Sequence, residues 1–450
     1  MIKKSIIKII SKRKGTNFDL EYSKINSLDN KAKLLEFQEN HLKKLLLHAY
    51  TNVPYYHSVF DDIGLINYGK LDLSKFNKIP ILTKDIIRKY YKELTSKDYT
   101  KRNWYYKETG GSTGEPISIV QDNIYNNWRN AAEHYYYANM LNIDEFNDKK
   151  IVIWGSWQDL FQDNVGIKAK VSNWVKNTKL LNCLKMTDDD VERYVRIINS
   201  YKPDLIRGYT GSLYEICRHA EKKNLTVYSP KIIIGTAETL TPEMRQKIET
   251  IFGTKLYNFY GAREVSSIAG ECKEGLMHIF SFYNYVEILD GKYQPVNKGE
   301  EGSVIITNLH NYPMPLIRYE ISDMAVPGPK TCRCGNILST LENVTGRITD
   351  CFVKEDGTTI SPMFFMILFM EIYEKRFFKK FQIIQEDYKK IKILIVPENS
   401  KDILYKKDIE EKIKLMMGND CKIIWEFVED IPKTKSGKYN YIKSLIWARK

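Results

Sequence analysis

No stretch of this 450-residue sequence is apolar for long: the longest such run, Met363 to Met370, falls far short of the roughly 20 residues that a membrane-spanning helix needs. The amino-terminal stretch Met1 to Lys14 lacks the uninterrupted apolar core of a secretory signal. Its Ile6, Ile9 and Ile10, set between lysines, describe either an ordinary surface helix or a short basic amphipathic one that touches anionic lipid. The seven cysteines are odd in number and spread over a long chain, which excludes a disulfide scaffold and fits a reducing, cytoplasmic setting. There is no internal repeat, no low-complexity segment and no arginine-rich tail. G-x-G-x-x-G and G-x-S-x-G are both missing, so neither a dinucleotide fingerprint nor a serine elbow is present.

What is there is ample core material, 43% hydrophobic with 12% aromatic residues, in a chain too long for one compact unit. The net charge of +13 comes from scattered lysines. It reads as a basic surface and as a field favourable to anionic small ligands, rather than as a nucleic-acid interface. The stretch from Lys107 to Pro116 holds three glycines with Thr109, Ser112 and Thr113. Glycines permit tight turns and close ligand approach, and successive backbone N–H groups in such a turn form a concavity suited to an anion. This predicts a polyphosphate-holding loop. It is not a Walker loop, because Glu115 stands where the lysine belongs.

Apolar spacing at Leu35, Leu42, Leu45, Leu46 and Ala49 predicts one face of a helix ending near Pro54, and Thr83 is a candidate cap for the next. After the glycine loop come a strand at 117–121 and a helix from Asn123 to Leu141. Strands near 150–155, 204–209, 231–235 and 255–260 then alternate with helices near 188–200, 213–223 and 241–249, the last with Thr241 as cap and Pro242 at its first position. That alternation predicts a doubly wound α/β architecture with parallel sheets. From about Ile279 the helices stop, and strands at 286–289, 302–308 and 316–319 predict an antiparallel piece packed beside those sheets. The expected division is a large amino-terminal domain, 1–349, and a small mobile α+β domain, 350–450, with a hairpin-like pair at 381–385 and 391–396, a helix at 405–417 and a strand at 422–427.

The chemistry lies in an ordered set of motifs: the glycine loop, Tyr260-Gly-Ala-Arg-Glu264, Arg318-Tyr-Glu-Ile-Ser-Asp323, Gly346-Arg-Ile-Thr-Asp350 and Pro432-Lys-Thr-Lys-Ser-Gly-Lys438. With these the chain resembles the adenylate-forming (AMP-forming) superfamily, and within it the phenylacetate–CoA ligases and the related proteins of capsular polysaccharide biosynthesis. Tyr50 to Tyr56 and Ile79 to Lys84 are similar to that branch as well. The resemblance implies that Thr109, Gly110, Gly111, Ser112, Thr113 and Gly114 wrap the ATP phosphates and that Tyr260, with Gly261 beside it, stacks on adenine. Glu264 would help to hold Mg²⁺, a hard cation that prefers carboxylate oxygen. Asp323 would accept both ribose hydroxyls, and Arg347 would reach the ribose or phosphate. Asp350 would be the hinge. Lys438 would bridge the attacking carboxylate and the α-phosphate.

Two departures from the family pattern stand out. Glu115 replaces a frequent lysine after the loop, and Arg263 replaces a frequent threonine before the Mg²⁺ glutamate. The guanidinium would take the α-phosphate or an acidic substrate. Cys272, His278, Cys332 and Cys334 have the chemistry of a tetrahedral zinc set, structural rather than catalytic, with buried unliganded cysteines as the alternative. The expected activity is ATP-dependent formation of an acyl-AMP followed by transfer to coenzyme A. The alternatives are transfer to an amine or hydroxyl of a sugar precursor, and a nucleotide-binding protein that has lost turnover. The region from Tyr135 to Trp157 and the strand from Tyr257 to Gly261 would line the acid pocket.

Overall fold

Among the described residues, eleven strands share one sheet that changes character halfway across. The computed structural model describes residues 17–108, 117–154, 177–183, 188–347, 352–356, 359–360, 362, 364–366, 368–369, 378–398, 406–432 and 440–446. The parallel half comprises β3 (Lys150–Trp154), β4 (Thr178–Asn182), β5 (Leu205–Tyr209), β6 (Ile232–Thr236) and β7 (Leu256–Ala262), paired β4-β3-β5-β6-β7. The strands are short, and β6 in the middle is buried at every position, as helices on either side require, whereas the edge strand β4 leaves Leu180 52% exposed.

At β7 the direction of pairing reverses. Strand β8 (Ser266–Glu271) runs antiparallel to it, and β9 (Met277–Ile279), β13 (Thr340–Arg347), β12 (Tyr319–Pro327), β11 (Gly302–Asn308) and β10 (Asn284–Leu289) continue the same sheet in that order. The predicted antiparallel piece is therefore edge-joined to the parallel half, not packed beside it. The segment predicted as a strand at 316–319 also sits later: β12 begins only at Tyr319, because Arg318 adopts a left-handed backbone (φ 50°) and turns the chain before the strand.

One face of the parallel half carries α3 (Asp188–Tyr201), α4 (Thr210–Lys222) and α5 (Pro242–Phe252). Thr241 caps α5 by accepting from Met244 N–H at 3.2 Å, and Gly253 ends it at φ 62°. The other face carries α2 (Asn123–Tyr135), whose Trp128, Ala131, Ala132 and Tyr136 side pack with Leu205, Ile234 and Phe259. The predicted helix to Leu141 is interrupted, since Tyr136–Met140 widen into a π turn. This lets the consecutive Tyr136 and Tyr137 both turn inward. The α1 helix (Lys31–Asn52) covers the antiparallel half with Leu42, Leu45, Leu46 and Ala49. Leu35, expected on that face, is 52% exposed, and Leu34 is buried in its place. A two-stranded ribbon, β1 (Trp104–Glu108) and β2 (Ser118–Asp122), leads into and out of the glycine loop.

The carboxyl-terminal part forms a separate four-stranded sheet, β16-β15-β14-β17, of β14 (Phe378–Asp387), β15 (Lys390–Pro397), β16 (Lys422–Phe427) and β17 (Ile442–Ser444), with α6 (Lys406–Met417). Lys222 on α4 meets Glu398 at 3.0 Å across the two parts.

Candidate functional site

The carboxyl ends of parallel strands, where helices begin, are the usual ligand-binding edge of such sheets. Here that edge meets the seam at β7. Gly261 sits 2.7 Å (measured to an added Cβ) from the Ser266 carbonyl oxygen, so only glycine permits the tight return from β7 into β8. That return carries Arg263 and Glu264.

Glu264 is nearly buried (8% exposed). Its carboxylate accepts from the Tyr319 hydroxyl at 3.2 Å and lies 3.8 Å from Lys84 Nζ, while its carbonyl accepts from Gln121 at 3.2 Å. Tyr260 donates its hydroxyl to Asp323 Oδ2 at 2.8 Å, tying β7 to β12. Directly across the β12–β13 ladder, Asp323 pairs with Arg347 through the backbone. Three separated motifs, at 260–264, 323 and 347, are thus brought to one place. The residues Thr109 to Gly114, Asp350 and Lys438 lie outside the described residues, as does the Arg347 side chain.

Four further charged residues, which no motif announced, continue inward from this edge. Lys107, on the inner face of β1, lies within electrostatic reach of Arg129, Arg263, Glu264 and Glu133; burial and the arginines push its ammonium down to about 8. From α2, Glu133 pairs with Arg207 of β5, and Arg207 also donates to the Tyr137 hydroxyl at 2.7 Å with its guanidinium 4.6 Å over the Phe259 ring. Burial acts to raise the Glu133 carboxyl, yet Arg207 and Arg129 overrule it and hold it below the ordinary range. Burial likewise acts to lower Arg207, and Tyr137 with Glu133 more than reverse it. These contacts span 70 to 74 residues of sequence, so local pattern could not reveal them. Lys107 alone lay in a stretch the sequence had marked.

A second cluster sits at the far end of β8, about 20 Å from the turn given six strand residues at ~3.4 Å each. Cys272, His278, Cys332 and Cys334 come together with all four ligand atoms within 4.8 Å. The Cys272 and Cys332 sulfurs are 3.7 Å apart, close to the ~3.8 Å edge of a tetrahedron with Zn–S bonds of about 2.3 Å. The Cys334 sulfur lies 3.2 Å from His278 Nε2. His278 Nδ1 faces the Leu338 carbonyl at 3.3 Å, the outer contact that fixes a metal-ligating tautomer. The donor set fits zinc.

Among the described residues no helix is long and apolar enough to cross a membrane.

Comparison with known proteins agrees with the motif-based resemblance. A family model described as the CapK C-terminal domain matches residues 352–445. Protein CapK of Staphylococcus aureus is 25% identical over 437 residues, 93% of this chain and 91% of the relative. Phenylacetate-coenzyme A ligase of Escherichia coli (strain K12) is 27% identical over 359 residues, 77% and 78% respectively. The fold matches the solved 2-hydroxyisobutyryl-CoA ligase, in its postadenylation state with 2-HIB-AMP, at a TM-score of 0.69 and 16% identity, over 93% and 90% of the two chains. The chain is a homologue of CapK and of the phenylacetate-CoA ligases, with the fold of adenylate-forming CoA ligases.

Proposed function

We propose, from that kinship, that the chain activates a carboxylic acid with ATP as an acyl-AMP, releasing pyrophosphate, and transfers the acyl group to coenzyme A. The observation that carries this reading is the convergence of Tyr260, Glu264 and Asp323 at the carboxyl edge of the parallel strands. Tyr260 and Asp323, locked to each other, offer a ring and a carboxylate for adenine and ribose. Glu264, held by Tyr319, would hold Mg²⁺, which when bound neutralises phosphate charge. Arg263, exposed beside it, would offer a cation for the α-phosphate, and Lys438 is assigned the bridge between acid and α-phosphate. In this proposal the chain divides into 1–349 and 350–450, with Asp350 as the hinge about which the smaller part turns between half-reactions.

Acid-dependent exchange of pyrophosphate into ATP tests the first half-reaction. Exchange should occur with at least one carboxylate and should vanish in Lys438→Ala with the fold intact; undiminished exchange in that variant would remove Lys438 from its role. Transfer to an amine or hydroxyl of a sugar precursor is the second reading. It is favoured by the extent of the CapK relationship, which spans 93% of the chain against 77% for the E. coli ligase. Thioester formation on adding coenzyme A separates the two. For the cysteine cluster the reading is one structural zinc, checked by metal analysis of the purified protein. A zinc content near zero after expression with zinc would overturn it.

A further inference from the structure

The charge beneath the nucleotide-side edge is not balanced. Glu133 is engaged by Arg207, which leaves Arg129 and Lys107 without a carboxylate in ion-pair range among the described residues. Arg129 gives one hydrogen bond to its neighbour, Asn130 Oδ1, at 3.0 Å, and its Nε is buried with no acceptor. Arg129 as a whole is half-buried, and one buried donor atom left without an acceptor costs on the order of 1–3 kcal/mol. Lys107 points inward on the same side, two residues along β1 from Tyr105, whose surroundings include Arg129. One turn further along α2, Glu133 is taken up by Arg207, which also donates to the Tyr137 hydroxyl and lies over the Phe259 ring. An aryl or alkyl acid entering from the Arg263 end would desolvate these cations and return nothing to them. An acid with a second anionic group at its distal end would complete them.

We infer, resting on the adenylation reading above, that the acid activated here carries a second anionic group, as α,ω-dicarboxylates do, and that Arg129 with Lys107 beside it receives that group. The reacting carboxylate then faces Arg263, and the far carboxylate is held by charge-assisted hydrogen bonds from Arg129.

The test compares dicarboxylates of two to six carbons with monocarboxylates of equal length and with phenylacetate. Pyrophosphate exchange is read in the full chain and in Arg129→Met and Arg129→Lys. The expected result is a KM for the best dicarboxylate roughly tenfold or more below that of its monocarboxylate counterpart. Arg129→Met should erase that difference with kcat little changed, and Arg129→Lys should restore part of it. A wild-type preference for phenylacetate or a monocarboxylate, or an unchanged dicarboxylate KM in Arg129→Met, overturns the inference while leaving adenylation standing. Calorimetric titration of the same acids into the AMP-saturated protein reads the site without turnover. Absence of dicarboxylate binding there overturns the inference whatever the exchange assay shows. Dicarboxylate binding that Arg129→Met abolishes, in a protein without exchange activity, supports the Arg129 site for the second anionic group and rejects the adenylation reading.

Discussion

Lys107 is the residue on which most of the site's electrostatics turn. Burial, with Arg129 and Arg263 adding to it and Glu264 and Glu133 opposing, brings its ammonium from the ordinary 10.5 to about 8. A depressed lysine is charged below that value and neutral above it. Its contribution to folding stability is therefore greatest above 10.5 and is lost as the pH falls through about 8. Ligand binding runs the other way: affinity for the dicarboxylate inferred above should weaken as the pH rises through about 8. Lys107→Met should flatten that dependence, which titrations of the best dicarboxylate at pH 7 and 9 would check. Gly261 gives a second residue-level expectation. A methyl group there meets the Ser266 carbonyl at 2.7 Å, and backbone cannot yield as a side-chain tip can. Gly261→Ala should cost about 1–3 kcal/mol of stability, visible in denaturant unfolding, and should weaken ATP binding by displacing Glu264. If the variant unfolds and binds ATP like the wild type, the tight return is not needed.

At the scale of elements, what the sequence disclosed was whatever is encoded locally. The α5 helix was read to its cap because Thr241 and Pro242 act on their immediate neighbours. Thr241→Ala should cost about 1 kcal/mol, measurable as a shift in denaturant midpoint. The end of the Asn123 helix was misplaced because the π turn at Tyr136–Met140 answers to packing. Tyr136 lies against Gly270 of β8, where even a Cβ would meet its ring at 2.4 Å, and Tyr137 reaches Arg207. Leu35 and Leu34 differ by one residue in sequence and by a face in space, a distinction that helical spacing alone left at the margin. The site divides the same way: Tyr260, Glu264 and Asp323 were legible as ordered motifs, whereas Arg129, Glu133 and Arg207 are single letters whose meeting depends on α2 lying across β5. The cluster of Cys272, His278, Cys332 and Cys334, to which the proposal assigns zinc, joins the end of β8, strand β9 and the loop before β13. Cys332→Ser or strong chelation should therefore lower the melting temperature by several degrees while sparing the ATP affinity of protein that remains folded.

Across the whole molecule, the parallel and antiparallel halves meet at β7 and β8, and in the proposed function ATP would contact both. Mass action then gives a direct expectation. ATP at a hundredfold over its dissociation constant adds about 2.7 kcal/mol to unfolding, seen as a rise in melting temperature, and Asp323→Ala should forfeit most of it. Between the two parts, Lys222 is 50% exposed where it meets Glu398, a pair worth about 1 kcal/mol or less, while buried side chains of both, Phe365 and Ile413 among them, share one apolar cluster with Leu213 and Ile248.

The seam has a consequence in time as well as in space. The residues to which the proposal assigns the nucleotide come from β7 near 260 and from β12 at 323, and β7 has its partner β8 only once the chain has passed 271. A ribosome must deliver more than two thirds of the polypeptide before this edge is complete, since Asp323 is its last member among 450 residues. On the proposed function, early fragments would emerge without a complete nucleotide site, and nucleotide capture would be gained late in synthesis.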